Sequence, residues 1–358
     1  MAGFEATLTL AWLQRGPLAC ALWPLGRLYA GVTALRRVAY RRGWLATVTS
    51  AVPVIVVGNR VAGGAGKTPT VLAIVDHLRA RGRRPGIVSR GHGRKGREPT
   101  VVEASSHAGA VGDEPLLLYR RAGVPVVVGA DRARAAALLL DAHPELDCLV
   151  ADDGLQHLRW ARDVEVVVFD ARGAGNGWPL PAGPLREPID AAPRGRHLLH
   201  LYTDGVRSTR IAGAIARRRI GGVVDLAAWW QGEPASAAAL SALQDRAPLA
   251  CAGIAQPQRF FAMLAAAGLH FEALPLPDHA AFETLPWPAS ATDVVVTEKD
   301  AVKLDAQRLA RERPATRVWV APLDFEPEPA FGALLDAALA DLAPRLRNPP
   351  AKTRWTAD

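Results

Sequence analysis

The run Gly63-Gly64-Ala65-Gly66-Lys67-Thr68 constrains this chain more than any other feature. It lies between a β-branched apolar stretch, Pro53–Val57, and a segment of helical spacing, Thr70–Arg81, with Val71, Ile74, Val75 and Leu78 on one face and Gly82 at the C-terminal cap position. Glycines let successive N–H groups turn inward around phosphate oxygens, and the start of a helix adds partial positive charge. In that setting a lysine reaches the β- and γ-phosphates and the following hydroxyl ligates Mg²⁺. The expected ATP-binding set is Val61, Ala62, Gly63, Gly64, Ala65, Gly66, Lys67 and Thr68, with Val61 standing where the general pattern has its first glycine.

Around this loop the pattern alternates between strand and helix. Further strands read at Gly86–Ser89, Val124–Val128, Cys148–Ala151 and Val164–Phe169, with a helix at Asp131–Ala142. Continuous apolar strands separated by helices predict a parallel sheet covered on both faces. A Gly/Pro-rich stretch, Gly173 to Pro193, precedes a second set of strands at Leu198–Tyr202, Val223–Leu226, Leu249–Ile254, Phe271–Leu276, Val294–Thr297 and Val318–Val320. The expectation is an α/β chain: a P-loop NTPase-like domain over 46–195, a hinge near 195, and a smaller α/β domain over 196–325. A final helix (Phe331–Leu346) and a polar tail (Asn348–Asp358) would make up 326–358.

Residues 1–45 are unlike the rest. From Leu18 to Leu35 nearly every residue is apolar, but Pro24 and Arg27 interrupt the run. A clean spanning helix needs about 20 uninterrupted apolar residues. A signal peptide needs a basic start, whereas Glu5 is the first charge here. The reading is a helix lying in a membrane interface, anchored by Trp12, Trp23, Tyr29 and Trp44, with Arg36, Arg37, Arg41 and Arg42 facing anionic headgroups. A helix packed on the protein's own core is the alternative. The net charge of +8 asks for an anionic partner. Nucleic acid is disfavoured, because aromatics do not interleave with the basic clusters. Arg217, Arg218 and Arg219 form one such cluster, for which a solvated face is the ordinary reading. Three scattered cysteines predict neither a disulfide framework nor a zinc site.

Two further elements carry chemistry. Leu149-Val150-Ala151-Asp152-Asp153-Gly154 is an apolar strand ending in two carboxylates, where a nucleotide enzyme holds its Mg²⁺; Asp152 and Asp153 join Thr68 as expected metal residues. Val111-Gly112-Asp113-Glu114-Pro115 offers a carboxylate to accept a hydroxyl proton, although the same residues describe an ordinary helix start.

Taken together these blocks resemble the tetraacyldisaccharide 4′-kinase family. The opening motif Val57-Gly58-Asn59 through Thr68-Pro69 is similar, as are Ser89-Arg90-Gly91-His92-Gly93, the Asp113 block, Asp152-Asp153-Gly154-Leu155-Gln156-His157, Gly175-Asn176-Gly177, Pro181 to Pro188, Pro277-Asp278-His279 and Thr297 to Lys303. The resemblance implies a monotopic enzyme on the cytoplasmic face of the bacterial inner membrane, with two α/β domains facing across a hinge. It implies transfer of the γ-phosphoryl group of Mg-ATP to the 4′-hydroxyl of an acylated disaccharide 1-phosphate lipid, giving lipid IVA. The catalytic residues it implies are Asp113, His279 and Lys67, with His279 orienting the Asp113 carboxylate and tuning its pKa toward base function. Gln156, His157 and Arg186 are the implied substrate contacts. A membrane-partitioning P-loop ATPase is the rival reading, but such loops open with a lysine where this chain has Ala62. A non-enzymatic ATP-gated scaffold is a third, in which Asp113 and His279 would be free to change.

Overall fold

A computed structural model describes residues 10–94 and 96–347, with side chains to Leu342; the expected polar tail lies outside the described residues. Strands β1 (Val54–Gly58), β2 (Pro85–Ser89), β5 (Cys148–Asp152) and β6 (Val164–Phe169) are buried along their whole length, as strands covered on both faces must be. With β3 (Thr100–Val101), β4 (Val126–Val128), β7 (His197–Tyr202), β8 (Ala214–Arg219) and β14 (Asp324–Pro327) they form a nine-stranded sheet of order β14-β8-β7-β6-β1-β5-β2-β4-β3. Pairing is parallel from β8 to β4, and only the edge strands β14 and β3 run antiparallel. β1 is therefore central, flanked by β5 and β6, and its C-terminal end is the natural ligand crevice of such a sheet.

The second sheet has order β11-β10-β12-β13-β9 and comprises β9 (Val224–Asp225), β10 (Leu249–Ala252), β11 (Glu272–Pro275), β12 (Asp293–Thr297) and β13 (Arg317–Ala321). The two sheets do not divide near residue 195. β7 follows the Gly/Pro-rich stretch but pairs in parallel with β6 over six residues, burying Leu199 and Leu201, and β8 continues the same sheet. The chain leaves for the second sheet after Arg219 and returns at Asp324, where β14 pairs with β8. The final helix, Pro329–Arg347, packs against β7 and β8, so the C-terminal segment belongs with the large sheet. Apolar periodicity marks a strand without saying which sheet it joins; that is decided by the partner edge available to it.

Helix α1 (Pro17–Arg41) runs unbroken through Pro24, giving up one backbone hydrogen bond there. One face packs on the body: a Cβ at Gly26 would sit 3.0 Å from the Pro179 carbonyl, Tyr29 Oη donates to Arg186 O (3.2 Å) and Arg37 pairs with Glu187 (3.0 Å). The other face leaves Leu18, Leu25, Leu28, Val32 and Leu35 exposed in one stripe at helical spacing. By length and composition α1 could cross a membrane.

Candidate active site

The glycine loop joins β1 to helix α2 (Lys67–Ala80), which starts at Lys67 itself. Gly63 (φ +94°) and Gly66 (φ +84°) hold backbone conformations that side chains resist. Five consecutive loop carbonyls are each held by a side chain. Asn59 Nδ2 donates to Val61 O and Gly63 O, Arg172 donates to Ala62 O and Gly64 O, and Thr203 Oγ1 donates to Ala65 O. With the carbonyls drawn outward, the loop's N–H groups are the ones free to surround an anion. Arg172 is itself fixed by Asp170 (Nε to Oδ2 2.8 Å). Val61 and Ala62 lie on the flank of this cradle: Val61 is buried and bridges Leu185, and Ala62 N donates to Pro184 O (2.8 Å).

β5 lies beside β1 with Val57 opposite Asp152, which brings both aspartates to the loop. They differ in what surrounds them. Asp153, at φ +50°, sets its Oδ1 3.6 Å from Lys67 Nζ and 3.3 Å from Arg186 Nη1, and these two cations outweigh burial and lower its pKa. Asp152 is buried, accepts from Ser89 Oγ at 3.3 Å through Oδ2, and has no hydrogen-bond partner for Oδ1 among the described residues. Burial, with the charge of Glu114 nearby, pushes its pKa up to about 7. A buried, orphaned carboxylate oxygen suits a divalent cation, and Thr68, at the start of α2, is buried as well. No group of three His, Cys, Asp or Glu side chains forms a protein-only cage among the described residues. One or two carboxylates completed by phosphate oxygens is the usual Mg²⁺ arrangement.

Helix α3 (Asp113–Ala122) begins after Gly112, whose φ of +96° turns the chain sharply. Its first two residues face different cavities. Glu114 lines a cavity of about 210 Å³ with Gly64, Lys67, Thr68 and Lys299; Asp113 lines one of about 750 Å³ with His92 and His279. Among the described residues three ion pairs cross from α3 to the connections that follow strands of the second sheet: Asp113–His279 (Oδ2 to Nδ1 2.8 Å), Glu114–Lys299 (2.6 Å) and Arg121–Glu298, the last two on the short helix Glu298–Ala301. Glu114 and Asp113 hold the partly buried Lys299 protonated against its desolvation.

His279 sits at φ +58°, its N–H donating to Gly253 O (3.1 Å), while Gly253 N donates to the fully buried Asp300 (3.0 Å). Asp300 also takes Thr297 Oγ1 and Lys303 Nζ, so the Thr297–Lys303 segment braces the loop that carries His279. Burial alone would raise the Asp113 pKa, but the His279 hydrogen bond and the Lys299 charge bring it down to about 2. The His279 pKa is raised, chiefly by that same bond.

The remaining expected contacts line neither cavity. Gln156 Nε2 donates to Asn59 O (3.2 Å) and Glu187 (3.3 Å), tying the loop's approach to the 187 region. His157 is half-buried beside Asp131, with burial and Arg132 bringing its pKa down to about 4. Arg186 bridges Asp153 and the α1 contact at Tyr29. Sequence reasoning assigned no role to Asn59, Arg172, Glu114 or Lys299. Glu114 and Lys299 stood inside quoted motifs; nothing local distinguishes Arg172.

The comparisons bear on this geometry. The family model described as tetraacyldisaccharide-1-P 4′-kinase matches residues 18–340. A tetraacyldisaccharide 4′-kinase of Methylibium petroleiphilum is 62% identical over 344 residues, 96% of this chain and 96% of that protein. One from Leptothrix cholodnii is 58% identical, over 93% of this chain and 96% of the relative. Among solved structures, LpxK of Aquifex aeolicus in complex with ATP matches with a TM-score of 0.74 at 25% identity, covering 90% of this chain and 99% of the other.

Proposed function

Because the chain belongs to the tetraacyldisaccharide-1-P 4′-kinase family, we propose a residue-level account of how it moves the γ-phosphoryl group of ATP to the 4′-hydroxyl of a tetraacyldisaccharide 1-phosphate, forming lipid IVA. The observation that carries it is the placement of Asp113 and Glu114 as neighbours facing two cavities, one at the glycine loop and one at His279. ATP lies in the first with its phosphates in the loop, and the disaccharide enters the second. Lys67 neutralises charge on the β- and γ-phosphates. Thr68 and Asp152 would hold Mg²⁺, with Asp153 near it; the metal would supply charge neutralisation on the phosphates. The Asp113–His279 pair takes the proton of the attacking hydroxyl, the carboxylate fixing the imidazole through Nδ1. The Lys299 and Glu298 ion pairs tie the short helix after β12 to α3, whose first residue carries the Asp113–His279 bond. Turnover should depend on the lipid: ADP release in detergent micelles is expected to require tetraacyldisaccharide 1-phosphate. Equal release without it would favour a partitioning ATPase.

The apolar helix α1 supports membrane association. We place it at the cytoplasmic face without crossing, because its packed face is engaged with Pro179, Arg186 and Glu187. An arginine at the centre of a spanning helix costs ~2.5–3.5 kcal/mol, whereas at an interface Arg27 can reach water. Basic residues near an anionic leaflet add ~1 kcal/mol each. Replacing Leu25, Leu28, Val32 and Leu35 by glutamine removes the exposed stripe and spares the packed face. The wild type should need detergent for release from washed membranes, and the variant should come off in high salt. Periplasmic labelling of an N-terminal tag would show a spanning helix instead.

A further inference from the structure

Strand alternation separates the three arginines of β8. Arg217 and Arg219 are exposed, and Arg219 pairs with Asp324 (3.5 Å) and Glu326 (2.8 Å) of β14. Arg218 points the other way, with only 15% of its side chain exposed, into the wall of the cavity that Gly64, Gly66 and Lys67 also line. Its guanidinium lies against the loop so closely that a Cβ at Gly66 would collide with Nη2.

Its charge is poorly compensated there. Nε lies 3.5 Å from Asp204 Oδ1, yet neither Nε nor Nη2 has a hydrogen-bond partner among the described residues, although both are buried. Asp204 is already shared: its Oδ2 accepts from Ala171 N (2.7 Å) and lies 3.0 Å from Arg259 Nη2. Arg259 also reaches Asp170 (3.4 Å), which is the partner of Arg172 (2.7 Å). Three arginines therefore share two carboxylates, and Arg172 spends its remaining donors on loop carbonyls. A buried guanidinium with unmatched donors is unfavourable until an anion meets it, and its planar fork suits phosphate oxygens.

We propose that Arg218 is a second phosphate-binding side chain of the nucleotide site, donating to phosphate oxygens of ATP held at Gly66. This inference rests on the reading of the glycine loop as an ATP site, and it makes β8, remote in sequence from the loop, part of that site. Without nucleotide, Arg218 is a liability to the fold; with nucleotide, its donors are matched.

Full-length Arg218→Met, Arg218→Lys and the exposed control Arg217→Met are compared with wild type by calorimetry with Mg-ATP and with adenosine, and by thermal unfolding without ligand. Loss of a charge-assisted contact is expected to raise the Kd for ATP in Arg218→Met by roughly 10- to 100-fold. Adenosine affinity should stay at the wild-type value, and the ligand-free melting temperature should hold or rise. The control should match wild type throughout. An unchanged ATP affinity overturns the proposal. So does a loss of ATP affinity accompanied by a lower ligand-free melting temperature, which would make Arg218 a prop for the loop. If the methionine variant does not fold, the same two criteria apply to Arg218→Lys, which keeps the charge but not the fork. A wild type that prefers ATP to adenosine by no margin would instead refute the nucleotide site itself.

Discussion

Replacing Asp113 by alanine is expected to lower kcat by ~10²–10⁴, the usual contribution of general acid–base catalysis, with little change in the KM for ATP. The separation follows from geometry: Asp113 faces the larger cavity with His279, whereas the loop residues line the other. His279→Ala should cause a similar loss, because the Nδ1 to Oδ2 bond of 2.8 Å makes the two one unit. The double variant should then be little worse than either single one, as residues acting together are not additive. Steady-state kinetics on the three proteins checks this, and fully multiplicative losses would show two independent roles. Removing either partner also loosens one of the three ion pairs between α3 and the connections that follow strands of the second sheet, so melting temperatures should accompany the kinetics.

Lys67→Ala is expected to reduce turnover by ~10²–10³, the effect of losing one stabiliser of developing negative charge. Its Nζ lies between Asn59 Oδ1 (3.4 Å) and Asp153 Oδ1 (3.6 Å), near the start of α2. The loop itself should survive, since its carbonyls are held by Asn59, Arg172 and Thr203 and not by Lys67. Without Lys67, Asp153 keeps Arg186 at 3.3 Å, and Arg132 donates to its backbone carbonyl at 3.3 Å. Circular dichroism and lipid-dependent ADP release on the same preparation test the point. A folded variant turning over near the wild-type rate would remove the phosphate role from Lys67.

Much of this site is legible in the sequence, because its chemistry is written in short contiguous runs. A glycine loop followed by Lys-Thr needs only its own backbone to be recognised, and Asp152 ends a recognisable apolar strand, although its place beside β1 comes from the pairing in the sheet. Other features depend on residues distant in the chain. Nothing within Ala214–Arg219 shows that this arginine-rich run is a strand, or that its middle arginine turns inward. A strand reads from the sequence at Leu198–Tyr202, yet its membership in the first sheet depends on the free edge of β6. Arg172 braces the loop from over a hundred residues away. The Asp113 pKa is lowered against its burial by the His279 hydrogen bond and the Lys299 charge, groups whose positions motif spacing does not locate.

The pH dependence of kcat tests the Asp113–His279 account most directly. Protonation of His279 leaves the pair with only the Asp113 carboxylate, which at a pKa of about 2 is a weak base. Activity should therefore fall as pH drops through the His279 pKa, which the Asp113 hydrogen bond holds above the ordinary histidine value. Asp113→Asn removes that raising interaction, so its residual activity should show the acid limb moved to lower pH. A wild-type profile flat between about pH 5 and pH 8, where an ordinary histidine titrates, would contradict the account and leave Asp113 acting without its partner.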